Sequence, residues 1–202
     1  MPLRNRVNPR GDIEINSARG HLMGNRGVLH NTKKALVKPF KNKAWITCLL
    51  EFKGRSRQLM SPNQYTELFF YDEVTAFAAG HRPCAECRRA RYNEFKEAWS
   101  LCYSSSPAAK ISVKDIDEIL HSERIENENK LTWTSPLQTL PHGTMFQLGS
   151  DFYAVYENGI LKWSYEGYQP VCSEKLPDEV DVLTPESIVL LFAKGFKPEF
   201  RL

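Results

Sequence analysis

Residues 68–89 read LFFYDEVTAFAAGHRPCAECRR, and the order of residue types in them decides how the first half of the chain folds. Leu68–Tyr71 is a short run of strand-forming residues. Asp72 then stands where a helix N-cap belongs, Glu73 follows in the first turn, and Gly80 supplies a left-handed residue at the C-terminus. The helix therefore stops where HRPCAEC begins. Pro83 cannot continue it and stiffens the turn before Cys84, and the spacing Cys84-x-x-Cys87 lets two sulfurs converge on one metal ion from a tight knuckle.

Working outward, AWITCLLEF (44–52) is rich in strand formers and is bounded by KGRSR, which predicts a strand, a turn and RQLM (57–60) as its hairpin partner. On the other side, RRARYNEFKEAWSLCY places Tyr92, Phe95, Trp99 and Tyr103 at spacings of three and four, the apolar stripe of a core-facing helix. Ser104-Ser105-Ser106-Pro107 follows as a boundary, dividing the chain into parts 1–105 and 106–202. In the second part Ser112 caps a helix through Ile111, Ile116, Ile119 and Leu120. MFQL, FYAVY and ILKWSY then read as a β-meander turning at Asn158-Gly159, and VDVL leads to a helix capped by Thr184, with Pro185 first and Gly195 at its end. The fold class is α+β: an N-terminal zinc-stabilised strand, helix and knuckle, and a C-terminal small β-meander or barrel with packed helices.

The chain has 202 residues, 42% hydrophobic and 25% charged, a balance that excludes wholesale disorder. No run approaches the roughly 20 apolar residues of a membrane span, and MPLRNRVNPRG lacks the apolar core of a signal peptide. The expectation is a cytoplasmic protein with no membrane partner. The net charge of +3 is unevenly placed: residues 1–105 carry 18 Lys+Arg against 9 Asp+Glu, and residues 106–202 carry 9 against 15. A basic half suits an anionic partner, and nucleic acid is the commonest one.

Five cysteines in a reducing compartment stay as thiols or metal thiolates rather than disulfides. The CxxC is open to three uses: half of a zinc site, a redox pair, or two ordinary thiols. A thioredoxin-type pair starts a helix after a strand, whereas Cys84 follows a helix through Arg-Pro. Zinc takes four ligands, so Cys84 and Cys87 need two more. Cys48 in the expected strand and His30 in GNRGVLH are the nearest candidates, with His81 and His21 in reserve.

The stretch LFFYDEVTAFAAGHRPCAECRR resembles part of the zinc-binding domain of Ada-type DNA alkylation-response proteins, in which a strand and an Ala-rich helix lead to a G-aromatic-R-P-C-x-x-C knuckle. The resemblance covers about a tenth of the chain and implies a Cys-ligated zinc, with Cys84 and Cys87 as ligands, and contacts to DNA phosphates. This chain departs from the pattern in having no second close cysteine pair before Cys84 and in carrying His81 where the family has an aromatic residue.

In HLMGNRGVLHNTKK, Gly24 and Gly27 flank Asn25-Arg26 and permit a tight loop whose amides and forked Arg26 side chain can approach a phosphate. Lys33, Lys34, Lys38, Lys41 and Lys43 follow closely. The expected nucleic-acid contacts are Arg26, Lys33, Lys34, Arg88 and Arg89, and the expected metal ligands are Cys84, Cys87, Cys48 and His30. The leading reading is a zinc-containing nucleic-acid-binding protein, DNA before RNA, linked to DNA repair, modification or defence. The alternatives are a metal-assisted nuclease, glycosylase or lyase, and a protein-interaction module. No catalytic residue stands in a recognisable spacing.

Overall fold

The computed structural model describes residues 2–54, 58–103 and 111–202. The boundary expected at Ser104–Pro107 and the turn residues Arg55–Arg57 lie outside these. Among the described residues no helix is long and apolar enough to cross a membrane.

The first half builds a mixed sheet. Its strands are β1 (Arg4–Val7), β2 (Ile13–Ile15), β3 (Leu22–Asn25), β4 (Ile46–Cys48), β5 (Leu68–Phe70) and β6 (Arg82–Pro83), in the order β2-β1-β5-β3-β4-β6. Helix α1 (Glu73–Ala78) separates β5 from β6, and α2 (Arg89–Tyr103) follows the knuckle. The strand expected from AWITCLLEF forms only over its first part. Its partners are β3, antiparallel, and β6, parallel; Gln58–Met60 are not in a strand, so the hairpin expected between β4 and RQLM is not made. The reason is that the ladder positions beside β4 are taken by β3 and β6, brought from distant sequence.

The second half contains α3 (Val113–Arg124), the short hairpin β7 (Ile125–Glu126) and β8 (Asn129–Lys130), and then β9 (Trp133–Pro136), β10 (Met145–Leu148), β11 (Asp151–Tyr156), β12 (Gly159–Ser164), β13 (Gly167–Val171), β14 (Glu179–Val182) and α4 (Glu186–Ala193). Strands β9 to β14 form an antiparallel sheet in the order β13-β12-β11-β10-β14-β9. The meander β10-β11-β12 is as read from sequence and is extended by β13, but its second turn sits one residue earlier than expected, at Glu157–Asn158, because Gly159 already pairs with Tyr156 in the ladder. Ser112 caps α3, and its Oγ and the Asp115 carboxylate satisfy each other's backbone N–H in a capping box. At α4 the expectation shifts by one residue. Pro185 holds the N-cap position, because the Thr184 hydroxyl accepts from the Met145 N–H at 2.9 Å instead of capping the helix. The chain is thus α+β.

Helix α1 explains how the two sheets come together. All six of its residues are buried, and its faces feed different cores: Phe77 packs with Phe95, Trp99, Leu120 and Phe192, Ala76 with Val7, Leu29 and Phe70, and Val74 and Ala78 with Met145, Ala154 and Trp163. Small alanines let elements approach the helix from several sides, which a larger side chain at Ala76 or Ala78 would prevent. Two of these clusters join residues from before and after the expected division at residue 105. Asp72 adds a polar tie: one carboxylate oxygen caps α1 through Thr75, and the other accepts from the Tyr168 hydroxyl of β13 at 2.8 Å.

Candidate metal centre

The parallel pairing of β4 with β6 sets the site. Ile46 lies opposite Arg82 and Thr47 opposite Pro83, so the next residues on the two strands are Cys48 and Cys84. The Cys84 N–H donates to the Thr47 carbonyl at 2.9 Å and holds that register. The N–H groups of Arg82 and Cys84 are the ones that face β4, so Pro83 between them gives up no bond to that strand. The Arg88 N–H closes the knuckle on the Cys84 carbonyl at 3.2 Å, which brings Cys87 round to the same side. The sulfurs of Cys48, Cys84 and Cys87 all lie within 4.8 Å of one another.

Three close sulfurs are a poor place for three negative charges without a cation. Hydrogen bonding from Cys48 is the first cause that brings the Cys84 thiol down to about 5, and the Glu86 N–H, 3.4 Å from its sulfur, adds to it. Cys48 is pushed the other way, first by donating that hydrogen bond and then by burial. Burial also raises Cys87, against the Leu49 N–H, which donates to its sulfur at 3.4 Å. One thiolate is stabilised and two thiols remain protonated around it; a divalent cation among the sulfurs would let the others ionise.

The donor set fits zinc. Sulfurs at zinc–thiolate distances of about 2.3 Å stand roughly 3.8 Å apart in a tetrahedron, so this group needs little movement to close on an ion. The N–H···S contacts on Cys84 and Cys87 also orient those sulfurs, as outer-shell partners of a metal ligand do. Among the described residues the group offers three ligands. It opens on a groove of about 990 Å³ lined also by Arg6, Arg19, Phe52, Lys53, Tyr65 and Phe69. Glu51, Glu67 and Glu86 line the same groove without joining the sulfur group.

His30, expected as the fourth ligand, stands apart. Its Nδ1 lies 2.7 Å from the Thr66 hydroxyl and its Nε2 3.2 Å from the Ser61 carbonyl, so both ring nitrogens are engaged in holding the loop. Of the reserves, His81 is fully buried and its Nε2 accepts from Arg26 Nε at 3.2 Å, while His21 is exposed. Burial, followed by the charges of Arg26 and Arg124, keeps His81 well below its ordinary range and therefore neutral.

The expected phosphate contacts divide by position. Lys33 and Arg89 are exposed and Lys34 half-buried. Arg88 is buried with its guanidinium 2.6 Å from Glu73, away from any surface ligand. Arg26 is 2% exposed and stacks on Trp45, 3.9 Å from the ring centre. Its loop does not open its amides to solvent: the Gly27 N–H donates to the Asn25 side chain and the Leu29 N–H to Thr66. Gly24 is also not a turn glycine. It lies in β3, where a Cβ would come within 2.4 Å of the Phe70 ring, whereas Gly27 does take a positive φ of 99°.

Sequence reasoning missed the groove beside the sulfurs, because Arg6, Arg19 and Phe69 come from segments with no motif in common. Compared with known proteins, the chain matches no family model, no curated protein and no solved structure.

Proposed function

We propose that the chain is a zinc-containing nucleic-acid-binding protein, with DNA the favoured partner and DNA repair, modification or defence the setting. The observation that carries the zinc half is the convergence of Cys48, Cys84 and Cys87 within 4.8 Å. Support for the nucleic-acid half comes from the exposed Lys33, Lys38, Lys41 and Arg89, from the basic first half, and from the resemblance of the knuckle to Ada-type domains. The metal joins β4 to the knuckle and so fixes the groove wall.

Elemental analysis of the purified chain is the first experiment, with about one zinc per chain expected and none in Cys84→Ser. Zinc retained in Cys84→Ser would remove this centre from the reading. A chelator should lower the melting temperature of the wild type and leave that of Cys84→Ser unchanged. DNA affinity should fall steeply with salt, and Lys33→Ala should reduce the log–log slope by roughly 0.7 to 0.9. Affinity independent of salt would exclude the phosphate backbone as the partner.

One observation favours a second reading, a metal-assisted enzyme on nucleic acid. Three protein ligands leave a tetrahedral ion one position, and the sulfurs open on a groove that Glu51, Glu67 and Glu86 also line. A bound zinc ion would supply Lewis acidity there. Chelator-sensitive cleavage or base release from DNA bearing abasic or modified bases would establish it, and intact strands in every case would leave the binding reading.

A further inference from the structure

A second cavity, about 320 Å³, is lined by six cationic side chains: Arg4, Arg10, Arg26, Lys38, Arg124 and Lys130. Among the described residues two carboxylates share its lining, Asp12 and Glu128, and both are exposed. In its lining Arg26 and Arg124 both stack on Trp45, with their guanidinium carbons 3.9 and 4.0 Å from the ring centre. Two guanidiniums on one indole attract its π face, but they also repel each other, and the ring carries no charge to cancel theirs.

The polar partners of these groups are neutral. Arg26 donates from Nη1 to the Gly11 carbonyl at 3.0 Å and from Nε to His81, while its Nη2 is buried with no partner. Arg124 donates from Nη1 to the Gly80 carbonyl at 2.7 Å and from Nη2 to the Lys43 carbonyl, and its Nε is buried and unpartnered. Lys130 is half-buried, with its ammonium turned onto the Ala78 carbonyl at 2.7 Å. Among the described residues no carboxylate lies within ion-pair distance of Arg26, Arg124 or Lys130.

The fold does supply carboxylates to its other buried arginines. Arg82 is held by both oxygens of Asp117 at 2.7 and 2.8 Å, and Arg88 and Arg91 share Glu73. A buried charge without a partner costs several kcal/mol, so a cavity that gathers two buried guanidiniums and a half-buried ammonium, and leaves Arg26 Nη2 and Arg124 Nε unpartnered, is built for a charge from outside. We infer that this pocket binds a phosphomonoester, whose dianion would take the unpartnered N–H groups of Arg26 and Arg124 and the ammonium of Lys130.

Three features select that chemistry. Forked guanidiniums match the oxygens of a phosphate. The cation excess suits a doubly charged group better than a diester bridge. The cavity volume is at the lower end of small-molecule sites, near 300 Å³, enough for a phosphate with a sugar-sized substituent. Burial and the charges of Arg124 and Arg26 also bring Lys130 down to about 7, a strain that a bound dianion would relieve. The site uses none of the three cysteines and does not depend on zinc or on DNA binding. Lys38 on its rim belongs to the lysine-rich segment, so the terminal phosphate of a strand is one source and a free phosphate ester another.

Calorimetry on the full chain, with inorganic phosphate against chloride at matched ionic strength, tests the pocket. Saturable phosphate binding is expected, with affinity lowered on the order of tenfold or more by Lys130→Met and by Arg124→Gln. Lys130→Met keeps the test decisive if Arg124→Gln fails to fold. A 5′-phosphorylated dinucleotide binding at least about tenfold tighter than its 5′-hydroxyl counterpart supports the pocket and assigns it to strand ends. Binding of phosphate and a mononucleotide without that preference supports it and assigns it to small phosphate esters. No phosphate binding beyond chloride, or unchanged affinity in folded Lys130→Met, overturns it.

Discussion

Arg82 and Arg88 are about as buried as Arg26 and Arg124, at 5% and 8% exposed against 2% and 1%, but their surroundings are opposite. The first pair meets carboxylates: Asp117 grips Arg82 with two oxygens, and Glu73 takes Arg88 and Arg91 together. Burial pulls Glu73 upward, yet Arg91 and Arg88 more than offset it and hold its carboxyl below the usual range. The second pair meets carbonyls, an indole and a neutral histidine, and burial pushes both guanidiniums below their ordinary range, helped at Arg124 by Arg26. The difference teaches that one set of arginines serves the fold, while the other is left incomplete by it. A charge completed internally ties elements together; a charge left incomplete marks where a ligand completes the structure.

The largest effect should come from breaking the completed set. Glu73→Ala strands Arg88 and Arg91 beside an empty position and should cost about 3–5 kcal/mol, read by urea unfolding. A loss below about 1 kcal/mol would mean that water satisfies these arginines and that the two regions do not differ as described.

Next in size is Gly80→Ala. Gly80 has a φ of 79°, and a Cβ there would lie 2.5 Å from Arg124 Cδ. Strain and displacement of Arg124 should together cost about 1–3 kcal/mol, and phosphate affinity should fall in the folded variant. Unchanged phosphate binding in Gly80→Ala would separate Arg124 from the pocket.

Lys130→Met should behave unlike Glu73→Ala. Removing a cation that has no counter-charge should leave stability within about 1 kcal/mol of wild type, or raise it, in phosphate-free buffer. A loss as large as that of Glu73→Ala would show that Lys130 is completed after all.

The remaining effect is the pH slope. Lys130 falls from 10.5 to about 7 on folding, so between these values the unfolded chain holds more protons and stability should rise with pH. Below about 7 that contribution is constant. His81, ordinarily at 6.5 and well below that when folded, adds a loss of stability as pH falls beneath 6.5, because only the unfolded chain takes up the proton. Lys130→Met should reduce the slope between about pH 7 and 9, leaving the share of Cys84 there, that of Arg26 and Arg124 above about 9, and the acid one, as monitored by melting temperature across buffers. A slope between about pH 7 and 9 that is unchanged in Lys130→Met would place its source elsewhere.

Local chemistry determined much of the architecture from sequence alone. Asp72 and Ser112 cap their helices because a short side chain can reach the free N–H groups one turn ahead, a signal contained within four residues. The β10-β11-β12 meander was legible for the same reason, since Asn158-Gly159 and the alternation beside it lie close in the chain, although the turn itself falls one residue earlier, at Glu157–Asn158. The knuckle could be read from residue type and spacing, and Cys48 as a candidate beside it from residue type alone, since its distance from the CxxC fits no standard pattern.

Only the tertiary structure decided the rest, because it depends on which distant groups share a buried volume. The β4–β6 pairing spans more than thirty residues, and nothing in either segment announces a parallel partner. His30 carries a metal ligand's chemistry, but the fold turns its ring onto Thr66 and Ser61. Arg26 reads in sequence as a surface phosphate contact, yet packing on Trp45 draws it inside, where Nε and Nη1 find His81 and Gly11 and, among the described residues, Nη2 finds no partner. Residue type sets what a side chain can do; long-range packing sets which partner it meets, and the desolvation of a charge makes that second choice the costly one.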